Sequence, residues 1–181
     1  MANFEIDDSG TLSDWTAEPT YRGISNYNNK RMGISRTAMF ELRKHLPFTQ
    51  LRFHCSKKQG RTLHVITATN STGEAVVRYF SGQTDVKPSS CGSFVRMEDD
   101  NSQLAKRCAR WGYDEVTDVF DVGKWGGVPW SGWRSDDLMY DHPLFIAYES
   151  HWIISKGWDR MECDDYLDPL SPKDFWKIFV R

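Results

Sequence analysis

The sequence predicts one mainly β domain, a β-sandwich of jelly-roll type with two short helices and long structured loops. Three observations lead there. Several short runs alternate apolar and polar residues, or collect β-branched and aromatic ones, between turn signals. Only two segments carry apolar residues at helical spacing. The chain has 181 residues, of which 39% are apolar and 14% aromatic, enough for one full core and too few for two. A charged fraction of 27% excludes a transmembrane bundle, and the aromatic content excludes a disordered chain. Residues 1–181 are therefore read as a single sandwich, with 1–35 an amino-terminal extension packed on it.

The first helix is predicted over residues 35–46. Ala38, Met39, Leu42 and Leu46 recur on one face, Arg43, Lys44 and His45 suit a helix carboxyl end, and Pro47 stops it. Next comes the clearest hairpin, in which Leu51, Phe53 and Cys55 alternate, Lys57-Lys58-Gln59-Gly60 turns, and residues 62–69 return rich in β-branched side chains. The run Glu74-Ala75-Val76-Val77-Arg78-Tyr79-Phe80 suits a strand or a short helix, and its Val, Tyr and Phe favour the strand. Asp99, Asp100 and Ser102 stand before Leu104, Cys108 and Trp111, which predicts the second helix, capped by the acids and closed by Gly112. Residues 112–141, rich in Gly, Trp and Asp, are too broken for long elements. Strands return over 143–154, and residues 175–181 form a terminal strand, placed beside the amino-terminal Phe4-Glu5-Ile6 strand.

Cys55, Cys91, Cys108 and Cys163 form no CxxC pair and are spaced too widely for a zinc knuckle, so a disulfide framework suits them better than free buried thiols. If all four pair, Cys91–Cys108 is the short bridge and Cys55–Cys163 ties an early strand to a late one; spacing alone leaves the connectivity open. Asn70-Ser71-Thr72 is a glycosylation sequon in a polar turn. No secretory leader stands at the amino terminus as written, which fits either a cytosolic protein or the trimmed part of an exported one. The cysteines favour the second, a secreted, extracellular protein.

The segments Thr49-Gln50-Leu51-Arg52-Phe53-His54-Cys55, Tyr79-Phe80-Ser81-Gly82-Gln83-Thr84-Asp85, Ser90-Cys91-Gly92-Ser93-Phe94-Val95-Arg96-Met97 and the ending from Asp174 to Arg181 resemble a module of large secreted proteins from corals, anemones and related marine invertebrates. The resemblance begins near Thr37 and reaches the carboxyl end. It implies an extracellular setting and disulfides, and it brings no activity or site residue with it.

The net charge of -2 conceals an asymmetry. Residues 20–62 hold ten Lys/Arg against Glu41 alone, while 113–174 hold fourteen Asp/Glu against five Lys/Arg. The two thirds either neutralise each other or leave a basic face of Arg22, Lys30, Arg31, Arg36, Arg43, Lys44, Lys57, Lys58 and Arg61 for anionic glycans.

Trp125, Trp130 and Trp133, beside Asp136 and Asp137, are the predicted ligand-binding residues, with core packing of the indoles as the alternative: indoles cover apolar sugar faces and carboxylates accept hydroxyl protons, but indoles in a small β domain also plug the core. Asp136, Asp137 and Asp141 are the predicted calcium ligands, with Glu162, Asp164 and Asp165 a second acidic group. His54 and His64 lie on the two hairpin strands and can face each other, but without a third ligand they read as lining a satisfied face. Cys91, with His142 or His151 as base, matches a cysteine-protease segment too briefly to name a catalytic residue. No phosphate loop, nucleic-acid signature or membrane-inserting segment is present. The expectation is an extracellular carbohydrate-binding, lectin-like module with glycan or matrix protein as partner, and with calcium or no cofactor at all. The alternative is a structural or cell-adhesion matrix module without a small ligand, and a hydrolase is less favoured than either.

Overall fold

A computed structural model of the chain describes residues 2–9, 15–29, 31–126, 140–155 and 160–181. Its strands in chain order are β1 (Ala2–Glu5), β2 (Ala17–Glu18), β3 (Arg31–Ile34), β4 (Leu51–Ser56), β5 (Thr62–Thr67), β6 (Phe94–Arg96), β7 (Tyr113–Asp114), β8 (Val119–Phe120), β9 (Leu144–Ile146), β10 (Ser150–Ser155), β11 (Arg160–Asp165) and β12 (Phe175–Val180). Strand outweighs helix, as the sequence predicts. One sheet has seven strands in the order β2-β3-β1-β12-β4-β5-β6, a second has three in the order β11-β10-β9, and β7 with β8 forms a small ribbon.

Neighbours in the large sheet are antiparallel except β2 beside β3. The terminal strand β12 is inserted between β1 and β4, with Phe4 opposite Trp176 and Trp176 opposite Cys55. Three strands of this sheet, β1 to β3, come from the first 34 residues. Period-two alternation sets the faces. On β4 the buried Leu51, Phe53 and Cys55 point inward, while half-buried Arg52, His54 and Ser56 point outward. On β12, Trp176 and Ile178 are inward, and Phe175, Lys177 and Phe179 outward.

The three-stranded sheet covers the inner face. Trp152 of β10 meets Phe53 edge-on at 6.0 Å between ring centroids, and the Trp176 indole N–H donates to the Glu162 carbonyl oxygen at 2.8 Å. Each of these fully buried large side chains contributes about 1.5–3 kcal/mol of apolar burial. The sheets are also joined covalently by the bond between Cys55 of β4 and Cys163 of β11, and a second disulfide links Cys91 to Cys108 outside the strands. No helix among the described residues is long and apolar enough to cross a membrane.

The α-helices are α1 (Arg36–His45), α2 (Ser71–Phe80) and α3 (Gln103–Lys106). In α1 the Ser35 side chain accepts the Ala38 N–H, Ala38, Met39 and Leu42 are buried, and Arg43, Lys44 and His45 lie in the last turn. In α3 Ser102 caps by accepting the Ala105 N–H. Helix α2 corrects the strand predicted over 74–80. Gly73, Val76, Val77 and Phe80 recur at i, i+3, i+4 and i+7 and are all buried, and Asn70 Oδ1 accepts the Gly73 N–H as the cap. Local capping and a helical apolar stripe override β-propensity here. The glycine is needed for the packing, since a Cβ on Gly73 would stand 1.9 Å from the Ala68 carbonyl oxygen.

Candidate metal site

Of the predicted ligand-binding residues, Trp125 is fully buried, which corrects its place on a binding rim. Its ring packs against Trp111, Phe53 and Phe80 at 5.0, 5.3 and 5.7 Å, and its N–H donates to Ser93 Oγ at 2.7 Å. An indole surrounded by rings and satisfied at its only donor serves the core. Trp130, Trp133, Asp136 and Asp137 lie outside the described residues. Asp141, the remaining predicted calcium ligand, is turned onto the imidazole of its neighbour His142, its Oδ1 close to Nδ1.

The second acidic group is likewise occupied by protein cations. Glu162 accepts Arg160 and lies 2.7 Å from His151 Nδ1. Asp164 pairs with Arg61 and accepts the N–H groups of Gln103 and Leu104 at 2.8 and 2.6 Å. Asp165 pairs with buried Lys57. These carboxylates offer no free oxygen set to calcium, which takes six to eight oxygens. Several cations of the basic stretch are paired in the same way: Arg31 meets Asp7, Arg36 meets Asp85, Arg43 meets Glu74, and Lys44 meets Glu41. Lys57 and Arg61 are the ones that reach the acidic third, through Asp165 and Asp164. Cys91 holds no free thiol, because it is bonded to Cys108.

A different constellation forms on the outward face of the large sheet. His54 of β4 and His64 of β5 are directly opposite in register, and their rings stack with centroids 3.8 Å apart and planes within 7°. Side chains of directly opposed residues lie close on one face, so the hairpin itself brings two imidazoles together. Phe175 closes one side, its ring edge-on to His54 at 4.8 Å.

A third donor arrives from the turn after β6. The Met97 N–H donates to the His64 carbonyl at 2.9 Å, and the His64 N–H donates to Asp100 Oδ2 at 2.7 Å. Asp100 also accepts from Arg96 and from the Ser102 hydroxyl. The turn is therefore tied to the backbone of His64 on both sides, and Asp99 between them reaches over the imidazoles. One carboxylate oxygen lies 2.6 Å from His64 Nδ1 and the other 3.7 Å from His54 Nε2. One donor atom from each of His54, His64 and Asp99 falls within 4.8 Å of the other two. It is the one such His/Cys/Asp/Glu group among the described residues.

The electrostatics of His54 and Asp99 favour the states in which each offers a lone pair to a metal. Burial pushes the His54 imidazole down to about 4, and His64 beside it adds to the shift against the opposing pull of Asp99. His54 is therefore neutral at pH 7, with a lone pair free. Burial is the largest influence on Asp99 and acts against its ionisation, but the hydrogen bond and charge interaction with His64, a backbone hydrogen bond and the charge interaction with His54 together outweigh it and hold the carboxyl below its ordinary range. His64 Nε2 is buried without a partner among the described residues. Asp99 is 57% exposed, so the assembled donors are open on the solvent side.

Comparisons with known protein families, with curated proteins and with solved structures find no match to this chain. Its chemistry is read from its own residues. Two imidazole nitrogens and one carboxylate oxygen suit zinc, copper, nickel or iron, and three protein ligands leave a position for an outside donor. Sequence reasoning found the histidine pair and missed Asp99, which it assigned to capping of α3. Ser102 makes the cap, and Asp100 supports it. The proximity of Asp99 follows from the pairing of β6 with β5, a non-local contact that spacing does not reveal.

Proposed function

We propose that this chain is a disulfide-stabilised extracellular binding module whose binding chemistry is coordination of a divalent transition-metal ion by His54, His64 and Asp99. The observation that carries the reading is the carboxylate of Asp99, held against both rings of a cross-strand histidine pair by a turn anchored to one of them. An ion in that position replaces the His64–Asp99 hydrogen bond and takes the lone pair of neutral His54. Its solvent side accepts water or a donor from another extracellular molecule, which suits a module that works by contact. The extracellular setting is supported by the two disulfides, which persist in oxidising compartments.

The test is calorimetric titration of the untagged, oxidised full chain, freed of metal by a chelator, with zinc, copper(II) and calcium salts. One zinc or copper ion bound per chain, no comparable calcium binding, loss of binding in His54→Ala and His64→Ala, and at least tenfold weaker binding in Asp99→Asn are expected. His142→Ala serves as the control for the other histidines. No transition-metal binding, or binding indifferent to the three substitutions in chains that keep the native circular dichroism spectrum, overturns the proposal.

A further inference from the structure

We infer that Asn70 is a site of N-linked glycosylation, its side-chain nitrogen carrying the glycan while its oxygen continues to cap α2. The sequon Asn70-Ser71-Thr72 has no proline at its middle position and lies at an exposed turn between β5 and α2. The two ends of the Asn70 amide have separate tasks. Oδ1 accepts the Gly73 N–H at 2.9 Å and the Thr72 hydroxyl at 2.7 Å, so the oxygen is committed to the helix start. Nδ2 has only a long contact of 3.3 Å to the Gly92 carbonyl oxygen, which also lies 2.9 Å from the Thr72 hydroxyl, whose one proton is shared between that carbonyl and Asn70 Oδ1. Substitution on Nδ2 leaves one N–H in place and removes no bond on which α2 depends.

In the transfer, the amide nitrogen forms a bond to the anomeric carbon of an oligosaccharide carried on a polyprenyl pyrophosphate. The bond from that carbon to the pyrophosphate oxygen breaks, the pyrophosphate leaves with the electron pair, and the amide gives up one proton. The glycan stands clear of the histidine pair. Helix α2 lies on the inner side of the large sheet, where Phe80 meets Phe53 at 5.3 Å, whereas His54 and His64 project from the outer side.

The experiment directs the full chain through a eukaryotic secretory pathway behind a cleavable leader, with intact-mass and peptide analysis of what emerges. A glycan mass on the peptide containing Asn70 is expected, removed by peptide-N-glycosidase with conversion of residue 70 to aspartate. Thr72→Ala abolishes the modification while keeping the Asn cap. Asn70→Asp abolishes it while keeping an oxygen acceptor for the Gly73 N–H, and this variant retains the thermal unfolding temperature of the enzymatically deglycosylated protein, which carries the same aspartate. Secreted chain with an unmodified Asn70 peptide overturns the inference, as does retention of unglycosylated chain in the cell.

Discussion

Replacing Cys55 and Cys163 with alanine removes the bridge between the two sheets, and its cost follows from the length of chain it closes. The bonded residues are 108 apart in sequence, against 17 for Cys91 and Cys108. In the chain-entropy account, loops of these sizes restrict the unfolded ensemble by about 4.7 and about 3 kcal/mol respectively. Cys55 and Cys163 are both fully buried, so deleting their sulfurs adds a cavity cost that exposed Cys91 does not incur. The long-bridge variant therefore loses at least about 1.5 kcal/mol more than the short-bridge variant, against a total of about 5–15 kcal/mol for a domain. Urea unfolding monitored by tryptophan fluorescence measures both losses. The unfolded chain without its long crosslink exposes more surface, so the slope of stability against urea rises together with the fall in midpoint. A short-bridge variant that loses as much as the long-bridge variant refutes the reasoning. So does a midpoint that falls with no change in slope, since the effect then resides in the folded state.

Zinc at a hundredfold excess over its dissociation constant adds about 2.7 kcal/mol of stability, which raises the unfolding temperature by about 5–10 °C; calorimetric scans of Asp99→Asn show a smaller rise. Gly73→Ala destabilises at or beyond the top of the roughly 1–3 kcal/mol range for overpacking, because the new methyl meets the backbone of Ala68. Gly92→Ala, with φ +79 and open space around it, costs only about 1–2 kcal/mol of left-handed backbone strain, and urea midpoints distinguish the two. Burial lowers the His151 pKa against the pull of Glu162, and Glu162 is lowered despite its own burial by His151 and Arg160. The His151 contribution is complete above its ordinary value of 6.5 and is lost as pH falls through the depressed one. Glu162 follows the same sign below its ordinary 4.5, so stability falls from pH 7 to pH 4, and His151→Gln flattens the upper part of that curve in urea titrations at each pH.

The strands that were legible in the sequence are those whose two faces meet different surroundings. Leu51, Phe53 and Cys55 alternate with Arg52, His54 and Ser56 because one side of the large sheet meets the core and the other meets solvent. Helix α1 was legible for the same reason, with Ser35 and Pro47 marking its ends. Helix α2 was not, because Val76, Val77, Tyr79 and Phe80 make a nearly continuous apolar run, and such a run suits a buried strand as well as a buried helix. The deciding feature is Asn70 as cap, three residues before Gly73 and outside the apolar run itself.

The site divides along the same line between local and non-local information. A hairpin is a local structure, so opposition of His54 and His64 follows from ten residues of separation and a tight turn. Trp125 misled because a Gly-rich sequence suggests an exposed loop, whereas it is drawn into the core by its contacts with Phe53 on β4 and Phe80 on α2, both distant in sequence. The charge pattern leaves two readings open in the sequence, and the fold favours neutralisation. Lys57 and Arg61, in the basic third, find Asp165 and Asp164, in the acidic third, because the disulfide between Cys55 and Cys163 holds those two segments side by side. Charges that are segregated along the chain are thus interleaved by the fold. What distinguishes His54, His64 and Asp99 is that their pairing leaves a neutral imidazole and an ionised carboxylate facing water, whereas Asp164 and Asp165 face their cations inside the protein. An ion arriving from solvent meets donors at the first group and finds every oxygen engaged at the second.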